Sequence, residues 1–291
     1  MRTIHAAVVQ MRADDDHARC MRDVTNAVVH AARQGARLVV LPENYAGIAS
    51  PGAKRAFAAE PGDPAACSAL APLCDLSARH GLTIVAGGTP ERAVDGRLFN
   101  TAFVIVGGAI RARYRKLHLF DADIPGQPRL RESDDTAPGD TAVVIRTRDA
   151  RIGLSICYDL RFPELYRALV DRGAELLVVP AAFTRESGAA HWQTLVRARA
   201  IECQAFVLAA TQHGEHGRGR SSHGHAMIVD PWGRVLAQAD GEHDAVLCAT
   251  LEPEALAAAR ERIPVARHRR APSELLATLV EVDPDPAEGA S

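Results

Sequence analysis

Apolar residues recur along the chain in two alternating patterns, short continuous runs and helical repeats. The runs Ile4–Gln10 and Arg37–Pro42 predict two strands. Between them, apolar residues recur at helical spacing from Asp16, a suitable N-cap, to Gly35, a suitable stop. Strands that alternate with helices are typical of an α/β domain.

Paired strands interrupt this alternation. Phe99–Val106 and Ile110–Tyr114, separated by Gly107-Gly108, predict two strands joined by a tight turn. Ala142–Arg146 and Ile152–Ile156 predict a second pair. We therefore expect mixed sheets in an α/β fold, and no shift in composition marks a linker between domains.

The second half of the chain continues with helices and one polar segment. Helices are predicted over Pro163–Arg172 and from about His191 to Gln204. The segment His213–His223, rich in glycine, histidine and arginine, is predicted to be a loop. The acidic, proline-containing segment Asp283–Ser291 is predicted to be disordered.

Composition excludes several classes of protein. The 291 residues are 47% hydrophobic and 24% charged, as in a soluble globular protein. A net charge of −2 favours neither nucleic acid nor a membrane as partner, and no apolar stretch is long enough to span a bilayer. The six cysteines show no paired spacing, and the first segment has the pattern of a strand and not of a signal peptide. Both observations favour reduced thiols and a cytoplasmic location.

One stretch, Arg151–Arg167, combines features of a reactive thiol. Cys157 directly follows an apolar run, and a helix that can begin at Pro163 comes a few residues later. A cysteine between a strand end and a helix start lies near backbone N–H groups, so we expect a lowered thiol pKa there. The alternative is that Cys157 is core, since cysteine is often simply buried.

Two more residues, Glu43 and Lys116, stand at or just past predicted strand ends. Because sheets bring such ends together, we expect them to share a site with Cys157. The chemistry is complementary: a thiolate attacks a carbonyl, a carboxylate carries the proton, and an ammonium stabilises the oxyanion, which the Tyr158 N–H would also bind. Taken singly, Glu43 and Lys116 are each better explained as solvated surface charges.

The residues around these three positions resemble a known family. LPENYAG at Glu43, YRKLHLFD at Lys116 and GLSICYDLRFPELYR at Cys157 are similar to the three signature blocks of the nitrilase, or carbon–nitrogen hydrolase, superfamily, in the same order. The similarity extends to about residue 271. It implies an α/β fold built as a four-layer α-β-β-α sandwich. Because no linker interrupts the sequence, we expect a single domain over residues 1–275, followed by a C-terminal tail over 276–291 that is partly disordered.

The resemblance also implies a catalytic set. Its Glu, Lys and Cys match Glu43, Lys116 and Cys157, and a second carboxylate of the family matches Glu132 in RLRESD. The implied reaction is hydrolysis of a non-peptide C–N bond by water through a cysteine thioester. It needs no metal and no organic cofactor. Homodimers or larger homo-oligomers are the implied assembly.

HLFDADIPGQPRLRESD and DPWGRV most resemble the branch that contains deaminated glutathione amidase and ω-amidase. A small carboxylated amide is then the expected substrate, with deaminated glutathione favoured over α-ketoglutaramate. Arg161 is expected to bind the carboxylate, unless it pairs with a neighbouring acid, and Phe183 and Thr184 to shape the pocket. Nitrile or N-carbamoyl amide hydrolysis, and a catalytically silent scaffold, remain the alternatives.

Two other features could suggest a metal site or nucleic-acid binding, but neither interpretation is favoured. The histidines of His213–His225 match no zinc spacing, so we expect no metal there. The basic cluster Arg267–Arg270 is too short for a nucleic-acid footprint and is better interpreted as a packed segment or a subunit contact.

Overall fold

The computed structural model describes residues 1–48, 50–123, 130–217 and 219–270, so the predicted tail over 276–291 lies outside the described residues. Four short 3-10 turns and seven α-helices lie in these ranges. The helices are α1 (His17–Arg33), α2 (Pro51–Lys54), α3 (Ala71–His80), α4 (Pro163–Asp171), α5 (Arg185–Cys203), α6 (Pro253–Arg262) and α7 (Val265–His268). The turns are Arg55–Phe57, Pro64–Ala66, Glu132–Asp134 and Cys157–Arg161.

Seventeen strands complete the described elements. They are β1 (Ile4–Met11), β2 (Leu38–Val40), β3 (Thr83–Arg92), β4 (Leu98–Val106), β5 (Ala109–Arg115), β6 (Asp121–Ala122), β7 (Leu130–Arg131), β8 (Thr136–Ala137), β9 (Val144–Arg146), β10 (Arg151–Leu154), β11 (Leu176–Val178), β12 (Phe206–Ala209), β13 (Thr211–Gly217), β14 (Arg220–His223), β15 (Met227–Val229), β16 (Val235–Gln238) and β17 (Ala245–Leu251).

These strands form two large mixed sheets. The first runs β14-β13-β1-β2-β3-β4-β5, with β17 paired to β1 and β8 to β4, and the second runs β16-β15-β12-β11-β10-β9. In both sheets parallel and antiparallel pairs are combined: β1–β2 and β10–β11 are parallel, whereas β3–β4 and β12–β15 are antiparallel. The expectation of mixed sheets is confirmed.

The alternation of side chains along β1 shows how the layers stack. Val8 faces a core shared with the second sheet, and Val9 faces a separate core that α1 and α3 cover. Helices α4 and α5 pack against the second sheet, with Leu169 and Trp192 fully buried. The order of layers is therefore helix, sheet, sheet, helix, as the resemblance implied.

Local signals for the first helix and the first hairpin are confirmed. The Asp16 carboxylate accepts a hydrogen bond from the Arg19 N–H over 2.9 Å and caps α1. Gly107 and Gly108, both with positive φ, form the turn between β4 and β5. Within the described residues, no helix combines the length and apolar character needed to cross a bilayer.

Two predictions in the second half are wrong. The segment predicted as a loop over His213–His223 lies in the antiparallel hairpin β13–β14. Helix α5 begins at Arg185, six residues before the predicted start, because Thr184 caps it by accepting from the Ser187 N–H. Gly188 obscured this start, yet it is required: a Cβ there would lie 2.3 Å from His223 of β14, which packs on this turn.

Candidate active site

The four residues predicted to be catalytic line one cavity. Glu43 follows β2, Lys116 follows β5, Glu132 starts a 3-10 turn after β7, and Cys157 starts the turn after β10. The cavity has a volume of about 480 Å³, and all four residues are among those that line it. Residues up to 114 positions apart in sequence therefore face the same space.

Cys157 lies on a tight, strained turn. Its φ of 48° is in the left-handed region, which a residue with a Cβ adopts at some energetic cost. Its N–H donates to the Pro180 carbonyl over 2.8 Å, and the Ala182 N–H points at the sulfur. These contacts hold the thiol against the end of β11 and direct it into the cavity.

Lys116 joins the two carboxylates. Its Nζ lies 2.9 Å from Oε1 of Glu43 and 2.8 Å from Oε2 of Glu132. An ammonium has three N–H donors, so one remains beyond these two contacts. Burial opposes the charge, but Glu132 and Glu43 outweigh it and raise the pKa of Lys116 well above its ordinary value. Lys116 is thus a fixed cation.

Asn100, in β4, is a site residue that no sequence pattern indicated. Its Nδ2 donates to Oε1 of Glu43 over 2.8 Å and to Oε1 of Glu132 over 2.9 Å. The backbone carbonyl of Asn100 accepts a hydrogen bond from the backbone N–H of Lys116 over 2.8 Å. One residue therefore positions all three charged groups, although it stands in the middle of a strand and not at its end.

The two carboxylates differ in how fully they are bonded. Glu132 accepts from Asn100 through one oxygen and from Lys116 and the Phe120 N–H through the other. Burial favours its neutral form, but Lys116 and these hydrogen bonds lower the pKa of Glu132 below the ordinary value. For Glu43, the Lys116 and Asn100 bonds both fall on Oε1. Its second oxygen is the better placed to exchange a proton.

The prediction of a lowered thiol pKa at Cys157 is wrong. Burial and the nearby Glu43 carboxylate raise the pKa of Cys157 well above its ordinary value, and Lys116 offsets only part of the effect. The thiol is protonated at rest. A nucleophilic role for Cys157 thus requires a base that removes the proton during attack, and Glu43 is the adjacent one.

Two glycines allow the segments to meet. A Cβ on Gly87 would lie 2.1 Å from Pro180, whose carbonyl holds Cys157. A Cβ on Gly88 would lie 2.7 Å from the Glu43 side chain. Gln212 fixes the Glu43 segment from the other side by donating to its carbonyl over 3.0 Å.

The four predicted substrate-binding residues are not all at the cavity wall. Thr184 lines the cavity, whereas Tyr158, Arg161 and Phe183 lie outside its lining. The Tyr158 ring packs 4.9 Å from that of Phe120. The Arg161 guanidinium lies 5.2 Å from the Phe183 ring and 3.2 Å from His191.

The histidine-rich hairpin also reaches the cavity. His216 lines it, with Nδ1 2.6 Å from the Ala13 carbonyl and Nε2 2.8 Å from the Ser222 hydroxyl. Burial lowers the pKa of His216 to about 4, so it is neutral and donates to Ala13 while accepting from Ser222. In the described part of the chain, no group of three His, Cys, Asp or Glu residues is arranged to hold a metal ion.

Comparisons with known proteins identify the family of this chain. The sequence model of the family described as carbon-nitrogen hydrolase matches residues 5–261. A Bos taurus protein named deaminated glutathione amidase is 40% identical over 271 residues, which cover 91% of this chain and 81% of that protein. A Synechocystis protein (strain PCC 6803 / GT-S) of the same name is 40% identical over 274 residues, with coverages of 92% and 99%.

A solved structure shares the fold. The crystal structure of Saccharomyces cerevisiae Nit3, described as a member of branch 10 of the nitrilase superfamily, superposes with a TM-score of 0.82 at 29% sequence identity. The match covers 93% of this chain and 97% of that chain.

Proposed function

The chain belongs to the carbon–nitrogen hydrolase family and is an amidase; on this premise we propose that deaminated glutathione is its substrate and Cys157 its nucleophile. The observation that carries the proposal is the convergence of Cys157, Glu43, Lys116 and Glu132 on one cavity. A cavity of about 480 Å³ is large enough for a small peptide-like amide.

In the first half-reaction, the Cys157 sulfur attacks the amide carbon while its proton passes to Glu43. The carbonyl oxygen becomes an oxyanion, which accepts a hydrogen bond from the third N–H of the Lys116 ammonium. When the C–N bond breaks, the nitrogen takes the proton from Glu43 and leaves as the amine product, or as ammonia from a primary amide. A thioester on Cys157 remains.

In the second half-reaction, a water molecule attacks the thioester carbon and gives one proton to Glu43. The C–S bond breaks, the sulfur recovers that proton, and the carboxylic acid product leaves. Glu132 stays ionised throughout, because its bonds to Lys116 and Asn100 favour the charged form, and it keeps Lys116 charged and in place.

The substrate assignment is supported by similarity. Relatives 40% identical over more than 90% of this chain carry the name deaminated glutathione amidase. We also place the enzyme in the cytoplasm, where its six cysteines would remain reduced thiols.

We further propose a homodimer or larger homo-oligomer. Three exposed apolar side chains belong to adjoining segments, α5, the Trp232 turn and the end of α6: Ile201 and Ile263 are 49% and 52% exposed, and Trp232 is 42% exposed. A Cβ on Gly233 would touch Ile201, so the Trp232 turn and α5 adjoin. A second copy that covered them would remove this apolar area from water.

The proposal is tested by measuring product release from deaminated glutathione and from α-ketoglutaramate, with the Cys157→Ala variant as control. We expect a higher kcat/KM for deaminated glutathione and no turnover by the variant. A preference for α-ketoglutaramate would assign ω-amidase activity instead. Turnover by Cys157→Ala would refute the thiol mechanism.

A further inference from the structure

The chain contains only two lysines, Lys54 and Lys116, among 34 basic residues other than histidine. The other 32 are arginines. The structure brings both lysines to the same cavity. One is the fixed cation between the two carboxylates, and the mechanism gives the other no role.

Lys54 ends α2 and is only partly exposed. Its Nζ donates to Oδ1 of Asn44, the residue after Glu43, over 2.9 Å. Among the described residues, no carboxylate lies within ion-pair distance of this ammonium. Burial lowers the pKa of Lys54, although the Glu132 and Glu43 carboxylates, at longer range, favour its charged form. Two of its three N–H donors are left, beside the catalytic carboxylate.

Arg220 supplies a second positive charge nearby. It begins β14, lines the cavity from the hairpin side, and is close enough to Lys54 to lower its pKa further. In the described ranges, Arg220 also forms no ion pair. Asp134 and Asp135 line the cavity too, from the turn that carries Glu132, and neither pairs with these two cations.

Lys54 and the exposed Arg220 place two positive charges at one cavity wall, and like charges repel unless an anion lies between them. We propose that Lys54, assisted by Arg220, binds a carboxylate on the acyl part of the amide substrate. The enzyme would then select amides with a second, anionic end. This inference rests on the proposed amidase function, and it places the carboxylate at Lys54 and not at Arg161, which lies outside the cavity lining.

Binding to a Cys157→Ala background tests the inference without turnover. The probes are glutaramate, a linear amide with a free carboxylate, and valeramide, its uncharged counterpart, with affinities measured by calorimetry. We expect glutaramate to bind at least tenfold more tightly than valeramide. Adding Lys54→Met should remove most of this preference, since hydrogen bonds to charged groups contribute strongly, and adding Arg220→Gln should weaken it several-fold.

The controls separate a local effect from misfolding. Lys54→Arg keeps the charge and should keep part of the preference, and Arg111→Gln, an exposed change on β5, should leave it intact. Equal binding of the two probes would overturn the inference. So would a preference for glutaramate that survives Lys54→Met but is lost in Arg161→Gln. Selective binding without any amide hydrolysis by the unmodified enzyme would instead refute the proposed function.

Discussion

The Asp159 carboxylate accepts a hydrogen bond from the Tyr114 hydroxyl over 2.7 Å, and this contact ties the Cys157 turn to the strand that leads to Lys116. Asp159 also accepts from the N–H groups of Ile156 and His118, over 2.8 and 3.1 Å. It is fully buried, so these donors replace water. One carboxylate thus holds the nucleophile segment and the lysine segment together.

Tyr114→Phe should therefore lower kcat by about tenfold with little change in KM, because the thiol and the ammonium would lose their fixed spacing. Stability should fall by about 2 kcal/mol, because the bond lost is to a buried carboxylate. Steady-state kinetics and urea unfolding measure the two effects. Tyr45→Phe is the matched control, since that buried hydroxyl bonds Ala69 and Thr89 and should affect stability only. Equal kcat losses in both variants would contradict the role of Asp159.

Gly88→Ala should displace the catalytic base. A Cβ at this position would lie 2.7 Å from the Glu43 side chain, on a residue with a φ of +70°. Gly96→Ala is the matched control: its φ is +84°, but no atom lies within 4 Å of the added Cβ. Both variants should lose about 1 kcal/mol from backbone strain. Only Gly88→Ala should lose kcat, by about tenfold or more, and an unchanged kcat would show that Glu43 is not held by this contact.

Asn100→Ala should impair catalysis more than folding. It removes the hydrogen bonds to Glu43 and Glu132, each of which is charge-assisted. We expect kcat to fall by roughly 10- to 100-fold, as for a group that orients catalytic partners. Asn100→Asp should be worse, because it places a third carboxylate beside two others. An unchanged kcat in both variants would show that Asn100 does not position the catalytic groups.

His216 should make stability depend on pH. Burial lowers its pKa from 6.5 to about 4 in the folded state, so the unfolded state binds the proton first as the pH falls. The stability that neutral His216 contributes is complete above pH 6.5 and declines toward pH 4, by about 3 kcal/mol in total.

Urea unfolding between pH 4 and 7.5 would measure this decline. His216→Gln has no titrating ring, so its stability should fall less steeply over the same window, even though it begins from a lower value. Parallel curves for the two proteins would show that His216 is not the group responsible.

The sequence predicted the strand-end residues well, for a physical reason. Glu43 and Lys116 follow strands of the first sheet and Cys157 follows a strand of the second, and the packing of the two sheets brings these three strand ends together. Asn100 could not be predicted in the same way. It lies inside β4, and its importance depends on the pairing that places it against Lys116.

Local chemistry misled the sequence analysis in two other places. Glycines hid the β13–β14 hairpin, since Gly214 and Gly217 have positive φ and a bulge interrupts the pairing near Glu215. The Cys157 pKa was misjudged because nearby N–H groups can be inferred from a turn, whereas burial beside Glu43 appears only after folding.

The most direct test of the central claim is to quench the enzyme rapidly during turnover of deaminated glutathione and to map the modified residue by mass spectrometry. We expect an acyl group on Cys157, with the adduct mass of the thioester. Product release without an adduct on Cys157, or an adduct on another of the six cysteines, would contradict this expectation.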